Sequence, residues 1–218
     1  SEEESEEEEA NEILEEHLHP LASFVIHKVL DAGAMTIPHQ QGRRRAKGVG
    51  KWIFPDMVGL NNPRTKIHSE KIKIQDSLLE NVSFSFELKP TLTSSSYREA
   101  VFQTIANSSW ANYTYLVVGW IDQSDHELIR NLRALATKHK FGVLTLTTPN
   151  RKVNQQNVLI TAPRTEFDAY TADLLAKESP KFENDYLDQL FQSQIRWDRF
   201  DRLPKNDSAA MTLSLIHI

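Results

Sequence analysis

Two acidic residues and one lysine stand beside apolar segments, where they could act together. Asp56 lies between the apolar segments WIFP and MVGL, and Glu87 and Lys89 close the segment VSFSF. Because successive side chains of a β-strand point to opposite faces, Glu87 and Lys89 are expected on one face, with Leu88 on the other. A carboxylate and an ammonium would then lie side by side at the end of an otherwise apolar strand.

These residue types could hold a divalent cation and use it. Two carboxylates from neighbouring strands form the hard-oxygen site that Mg²⁺ prefers, with Mn²⁺ as the alternative ion. The metal would lower the pKa of a bound water and stabilise charge on an attacked phosphate, while the lysine positions that water. Glu-x-Lys alone is commonly a solvated ion pair. The interpretation as phosphodiester hydrolysis therefore requires Asp56 to meet Glu87 across 31 residues of chain.

The surrounding sequence predicts an α/β fold. Apolar periodicity indicates a helix over residues 11–30 that begins or kinks at Pro20 and stops at Gly33. Strands are predicted at 81–89, where Pro90 ends the strand, and at 113–121, 141–147 and 158–161; helices are predicted at 96–107, 124–139, 166–177 and 183–197. The alternation from 81 to 161 predicts a β-α-β-α-β core with parallel pairing. Trp110, Trp120 and Trp197 are expected to pack in the protein.

Charge divides the chain into an acidic leader and a mildly basic remainder. The chain has 25 Lys and Arg against 30 Asp and Glu, and ten of the Glu lie in residues 1–16, which contain no basic residue. We interpret residues 1–10 as a disordered linker, with an autoinhibitory DNA mimic as the alternative. Residues 11–200 then form one domain. Residues 201–218 form a tail of doubtful authenticity, whose final LSLIHI resembles adapter read-through; a native edge strand is the alternative.

Several functional classes lack support in the sequence. There is no cysteine, so disulfide frameworks and thiolate metal sites are excluded, and a cytoplasmic location is expected. No signal peptide is visible, and no apolar run approaches the roughly 18 residues that a membrane span needs. The phosphate-binding, dinucleotide-binding and serine-hydrolase glycine motifs are also missing.

The order of motifs resembles the PD-(D/E)xK nuclease superfamily, which includes restriction endonucleases and DNA-repair nucleases. Pro55-Asp56 and Glu87-Leu88-Lys89 match its motif, with a helix before the first and a helix and a strand after the second. The resemblance implies a restriction-endonuclease-like core, a central mixed sheet flanked by helices. It also implies that Asp56, Glu87 and the Leu88 carbonyl bind Mg²⁺.

The same resemblance implies supporting residues on two helices. Gln103 matches a polar residue that often faces the site from the helix after the second motif. An acid from the first helix often joins the site as well, and Glu15 and Glu16 are both candidates. The alternatives without a role in the site are a surface amide for Gln103 and, for the two glutamates, membership of the acidic run.

A basic loop before Asp56 indicates a DNA partner. We expect it to contact the phosphate backbone without reading sequence, and an ordinary solvated loop is the alternative. Its residues are Arg43, Arg44, Arg45, Lys47 and Lys51. The segments HLHPLASFV, GRRRAKGVGKWIFPDMVGL and FELKP are similar to HrgA-type proteins. These accompany restriction-modification systems and often carry an N-terminal helix-turn-helix module, whose linker the acidic start would be.

Two functions remain as expectations. The first is a Mg²⁺-dependent DNA endonuclease linked to a restriction-modification system, in which Asp56, Glu87, Lys89 and Gln103 act together. The second is a catalytically silent DNA-binding or regulatory module with the same fold. The sequence does not indicate an oligomeric state.

Overall fold

A single six-stranded sheet organises the chain in the computed structural model, which describes residues 17–38, 54–62, 81–108, 110–147, 153–192 and 194–204. The strands are β1 Gly33–Thr36, β2 Met57–Asn61, β3 Val82–Leu92, β4 Tyr113–Ile121, β5 Gly142–Thr145 and β6 Val158–Ile160. The helices are α1 at residues 17–30, α2 Tyr97–Ser108, α3 His126–His139, α4 Ala169–Glu178 and the short α5 Asp188–Leu190. A π-helical segment, Phe182–Leu187, runs into α5.

The sheet is mixed, and its strands lie in chain order. β1, β2 and β3 pair antiparallel, β3, β4 and β5 pair parallel, and β6 returns antiparallel to β5. The helices α2 and α3 make the two crossovers that parallel neighbours require. The predicted α/β class, with a mixed sheet flanked by helices, is therefore confirmed, as is the parallel β-α-β-α-β unit.

One face of the sheet is covered by α1. Leu21 and Val25 of this helix pack with Phe86 and Leu88 of β3 and Val117 of β4 in one buried cluster. The helix continues through Pro20 and ends at residue 30, before a left-handed Asp31 with φ 53°. Gly33 was predicted as the helix stop. It is instead the first residue of β1, because the helix ends three residues earlier, at residue 30.

The opposite face is covered by α2, α3 and the C-terminal segments. Around α4, Trp110 packs edge-on against Phe182 with ring centroids 5.3 Å apart, and Tyr186 joins the same cluster. Trp110 is thus buried as expected. Trp197 is half-exposed and lies against Phe200, and Trp120 is half-exposed at the end of β4.

Two predicted boundaries were wrong. The helix predicted at 183–197 ends at Leu190, because π-helical turns carry Phe182 and Tyr186 onto Trp110 and the chain then turns away. Strand β3 does not end at Pro90 but continues to Leu92. A proline is tolerated there because β2 has already ended, and the ladder with β4 passes from the pair Lys89 and Val118 to the pair Thr91 and Trp120 without using Pro90.

Candidate active site

The register between β2 and β3 brings Asp56 beside Glu87. The last pair of their ladder is Met57 with Phe86. Antiparallel partners advance in opposite directions, so the next facing positions are 56 and 87. Both residues are only 4% exposed. Strand pairing therefore brings together two residues that are 31 positions apart in the chain.

Asp56 is fixed by the two strands on either side of it. Its Oδ2 accepts a hydrogen bond from the backbone N–H of Leu88 at 2.6 Å, where β2 offers no further backbone partner. Its own carbonyl accepts from the N–H of Ile37 at 2.9 Å. The side chain of Asp56 thus replaces a backbone acceptor at the end of the ladder and holds a charge at a defined place.

Glu87 is contacted through both of its carboxylate oxygens. Lys89 Nζ lies 3.5 Å from Oε1, and the side-chain amide of Asn107 donates to Oε2 at 3.2 Å. The side chain of Lys89 is 20% exposed while that of Glu87 is 5% exposed. Lys89 therefore stands on the solvent side of a buried carboxylate, and the two side chains lie together, as expected for residues two apart on one strand face.

The backbone of Leu88 completes this edge. In a β-strand the N–H and the C=O of one residue point to the same side. Because the N–H of Leu88 faces Asp56, its carbonyl faces the same edge, which is where the resemblance placed a metal ligand. The side chain of Leu88 points the other way, into the cluster beneath α1.

The helix α2 contributes a residue that sequence reasoning did not select. Gln103, the predicted supporting residue, is partly buried, and its Nε2 lies 3.5 Å from Glu99 Oε1 at the helix surface. Asn107, one turn later, is the α2 residue that contacts Glu87. The sequence does contain a signal for Asn107, because residues four apart share a helix face and Asn107 therefore lies on the face of Gln103. The sequence does not show which of these two amides reaches β3.

Buried polar atoms without a hydrogen-bond partner occur on the strand face of Glu87 and on α2. Among the described residues, no hydrogen-bond partner is found for Ser85 Oγ, Asn107 Oδ1 or Gln103 Oε1, although all three atoms are buried. Ser85 shares the strand face of Glu87. Buried polar atoms of native proteins are ordinarily paired, so Ser85 Oγ and Asn107 Oδ1 could contact a group other than the described residues.

The remaining predicted site residues lie outside the described part of the chain. These are the first-helix candidates Glu15 and Glu16 and the basic-loop residues Arg43, Arg44, Arg45, Lys47 and Lys51. Within the described ranges, no group of three or more His, Asp or Glu side chains could hold a metal ion. The donors that the structure brings together for a cation are two buried carboxylates and one backbone carbonyl, an all-oxygen set that fits Mg²⁺.

Comparison with known protein families, with curated proteins and with solved structures found no match for this chain. Across the residues the structure describes, no helix combines the length and the apolar character needed to traverse a membrane. The geometry around Asp56 and Glu87 is therefore the basis on which a function can be proposed.

Proposed function

We propose that this chain is a Mg²⁺-dependent DNA endonuclease with a restriction-endonuclease-like core, associated with a restriction-modification system. The observation that carries the proposal is the strand register that sets Asp56 beside Glu87, with Lys89 at 3.5 Å from Glu87.

Each residue has a distinct role in the proposed reaction. Asp56, Glu87 and the carbonyl of Leu88 would hold Mg²⁺, or Mn²⁺ in its place. The ion, when bound, supplies a water of lowered pKa and charge stabilisation at the phosphate. Lys89 orients the attacking water from the solvent side of Glu87. The basic loop at 43–51 supplies contacts to the DNA backbone.

A second candidate is a module of the same fold that binds DNA or a regulatory partner without cutting. One observation favours it: the oxygens of the two acids already have partners inside the protein, at Leu88, Lys89 and Asn107. A carboxylate that serves as a structural acceptor does not also need a cation. The two candidates differ in whether a divalent ion binds at Asp56 and Glu87.

Plasmid nicking with Mg²⁺ tests the proposal. Lys89→Ala should lower the cleavage rate by about 10²- to 10⁴-fold, the usual contribution of a group that assists proton transfer. Lys138→Ala is the matched control, because Lys138 is exposed in the last turn of α3. Equal cleavage by wild type and the Lys89 variant would overturn the assignment. A wild type that neither binds a divalent cation nor cleaves DNA would favour the silent module.

A further inference from the structure

Asn107 is placed where it can control the orientation of Glu87. It lies near the end of α2, is 4% exposed, and donates through Nδ2 to Glu87 Oε2 at 3.2 Å. Lys89 Nζ lies near the other oxygen, Oε1, at 3.5 Å. The amide therefore holds one oxygen of the carboxylate and leaves the other turned toward Lys89.

The backbone of Asn107 is itself held from the core. The indole N–H of Trp110 donates to the Asn107 carbonyl at 3.1 Å. Trp110 is 1% exposed and packs against Phe182 and Tyr186. A continuous chain of contacts thus links the aromatic cluster to the carboxylate of Glu87, and it leaves the amide little freedom to move.

The contact with Glu87 leaves part of the Asn107 amide without a hydrogen bond. Only the NH₂ group can donate to a carboxylate, so Oδ1 must point elsewhere, and it is buried without a described partner. An unpaired buried oxygen is unfavourable, and an apolar residue of similar volume would avoid it. Asn112 offers a contrast, because its Oδ1 accepts from both the N–H and the hydroxyl of Ser83 and its NH₂ donates to the Thr165 carbonyl.

We propose that Asn107 is a positioning residue that orients the Glu87 carboxylate for cation binding. By holding Oε2, it would leave Oε1, which lies near Lys89, available to a cation. This inference rests on the proposed function, since it assigns a role within the same metal site. It adds a residue of α2 that acts on the ion through Glu87.

Mn²⁺ titration by calorimetry tests this role on the full chain. Asn107→Leu fills the space without a donor, and Asn107→Ala removes the side chain. Both should weaken Mn²⁺ affinity by about 10- to 100-fold, the usual effect of losing a residue that orients a ligand. Asn112→Ala is the matched control, a buried asparagine that also bonds to β3. It should lower the urea midpoint and leave Mn²⁺ affinity within about twofold of wild type, because its partners are remote from the ion.

A second measurement separates this inference from the proposed function. In cation-free buffer, the urea midpoints of Asn107→Leu, Glu87→Gln and the double variant report whether the two side chains interact. Coupling together with weakened Mn²⁺ binding supports the positioning role. Mn²⁺ binding by Asn107→Leu at wild-type affinity overturns that role alone. A wild type that binds no Mn²⁺ overturns the metal site and the positioning role together.

Discussion

Replacement of Asp56 by alanine and by asparagine separates its structural role from its chemical role. The structural role is the 2.6 Å bond that Oδ2 accepts from the buried N–H of Leu88. Asp56→Ala removes that acceptor, and no strand residue of β2 can take its place, since the ladder ends at Met57. Asp56→Asn keeps an oxygen acceptor and removes the charge.

The expected magnitudes follow from these contacts. A buried N–H left without an acceptor costs about 1 to 3 kcal/mol. For a chain of this size, each kcal/mol lowers Tm by about 2 to 4 °C, so Asp56→Ala should lower Tm by about 4 to 8 °C for a cost near 2 kcal/mol. Asp56→Asn exchanges a charge-assisted bond for a neutral one of about half the strength. It also removes a negative charge next to Glu87, so its net cost should stay below about 1 kcal/mol.

The chemical role is measured by Mn²⁺ affinity and by plasmid cleavage. If Asp56 binds the ion, Asp56→Asn should weaken Mn²⁺ binding by at least about 10- to 100-fold, because the loss of an outer-shell residue alone has that effect. Asp201→Asn is the matched control: Asp201 also accepts a backbone N–H, that of Thr36 at 2.9 Å, at the β1 edge. It should not change Mn²⁺ binding.

Two results would refute this reasoning separately. A thermally unchanged Asp56→Ala would show that the bond to Leu88 does not stabilise the fold. An Asp56→Asn variant that binds Mn²⁺ and cleaves DNA like wild type would show that Asp56 is only a ladder acceptor and has no part in the proposed metal site.

Three further predictions concern stability. Tyr186→Phe should cost about 1 kcal/mol in urea unfolding, since the hydroxyl donates to the Gly59 carbonyl at 2.9 Å. Burial raises the pKa of Tyr186 above its ordinary value of 10.0. The hydroxyl therefore stabilises the fold fully below pH 10.0, and this stabilisation is lost as pH rises through the raised pKa. The free energy of unfolding of the variant should accordingly fall less than that of wild type at alkaline pH. Lys140→Gly should stabilise the fold by up to about 1 kcal/mol, because Lys140 has φ 60° after α3, a conformation that glycine adopts without strain; an unchanged urea midpoint would contradict this. Hydrogen bonds from Thr171 lower the pKa of Asp168 at the start of α4. Asp168→Ala should therefore lower Tm at pH 7, with a difference that shrinks as pH falls through that lowered pKa; an equal difference at acid pH would contradict it.

The parts of the fold that could be predicted are those whose pattern is local. β4 was predicted at its observed bounds, because a strand buried on both faces is a continuous apolar run. The one-face placement of Glu87 and Lys89 needed only the two-residue period of β3. Four-residue β1 is too short to show a period, and its Gly33 was interpreted as a helix stop.

The remainder depends on contacts between distant segments. No local sequence pattern predicts the π-helical segment. Its wider turns are favoured by packing against Trp110, which is distant in the sequence. The meeting of Asp56 with Glu87 depends on strand register. Gln103 and Asn107 share one helix face, and only the placement of α2 against β3 determines which amide reaches the acid.

The edge of β3 beyond the end of β2 supports the proposed cation site. Over residues 88–90 this edge carries one backbone donor, the N–H of Leu88, because Pro90 has none and Lys89 faces β4. Asp56 already accepts that donor. What remains at the edge is acceptor oxygen: the Leu88 carbonyl, the Asp56 carboxylate and the neighbouring Glu87. Pro90 therefore adds no backbone donor over residues 88–90, and Asp56 accepts the donor that Leu88 presents.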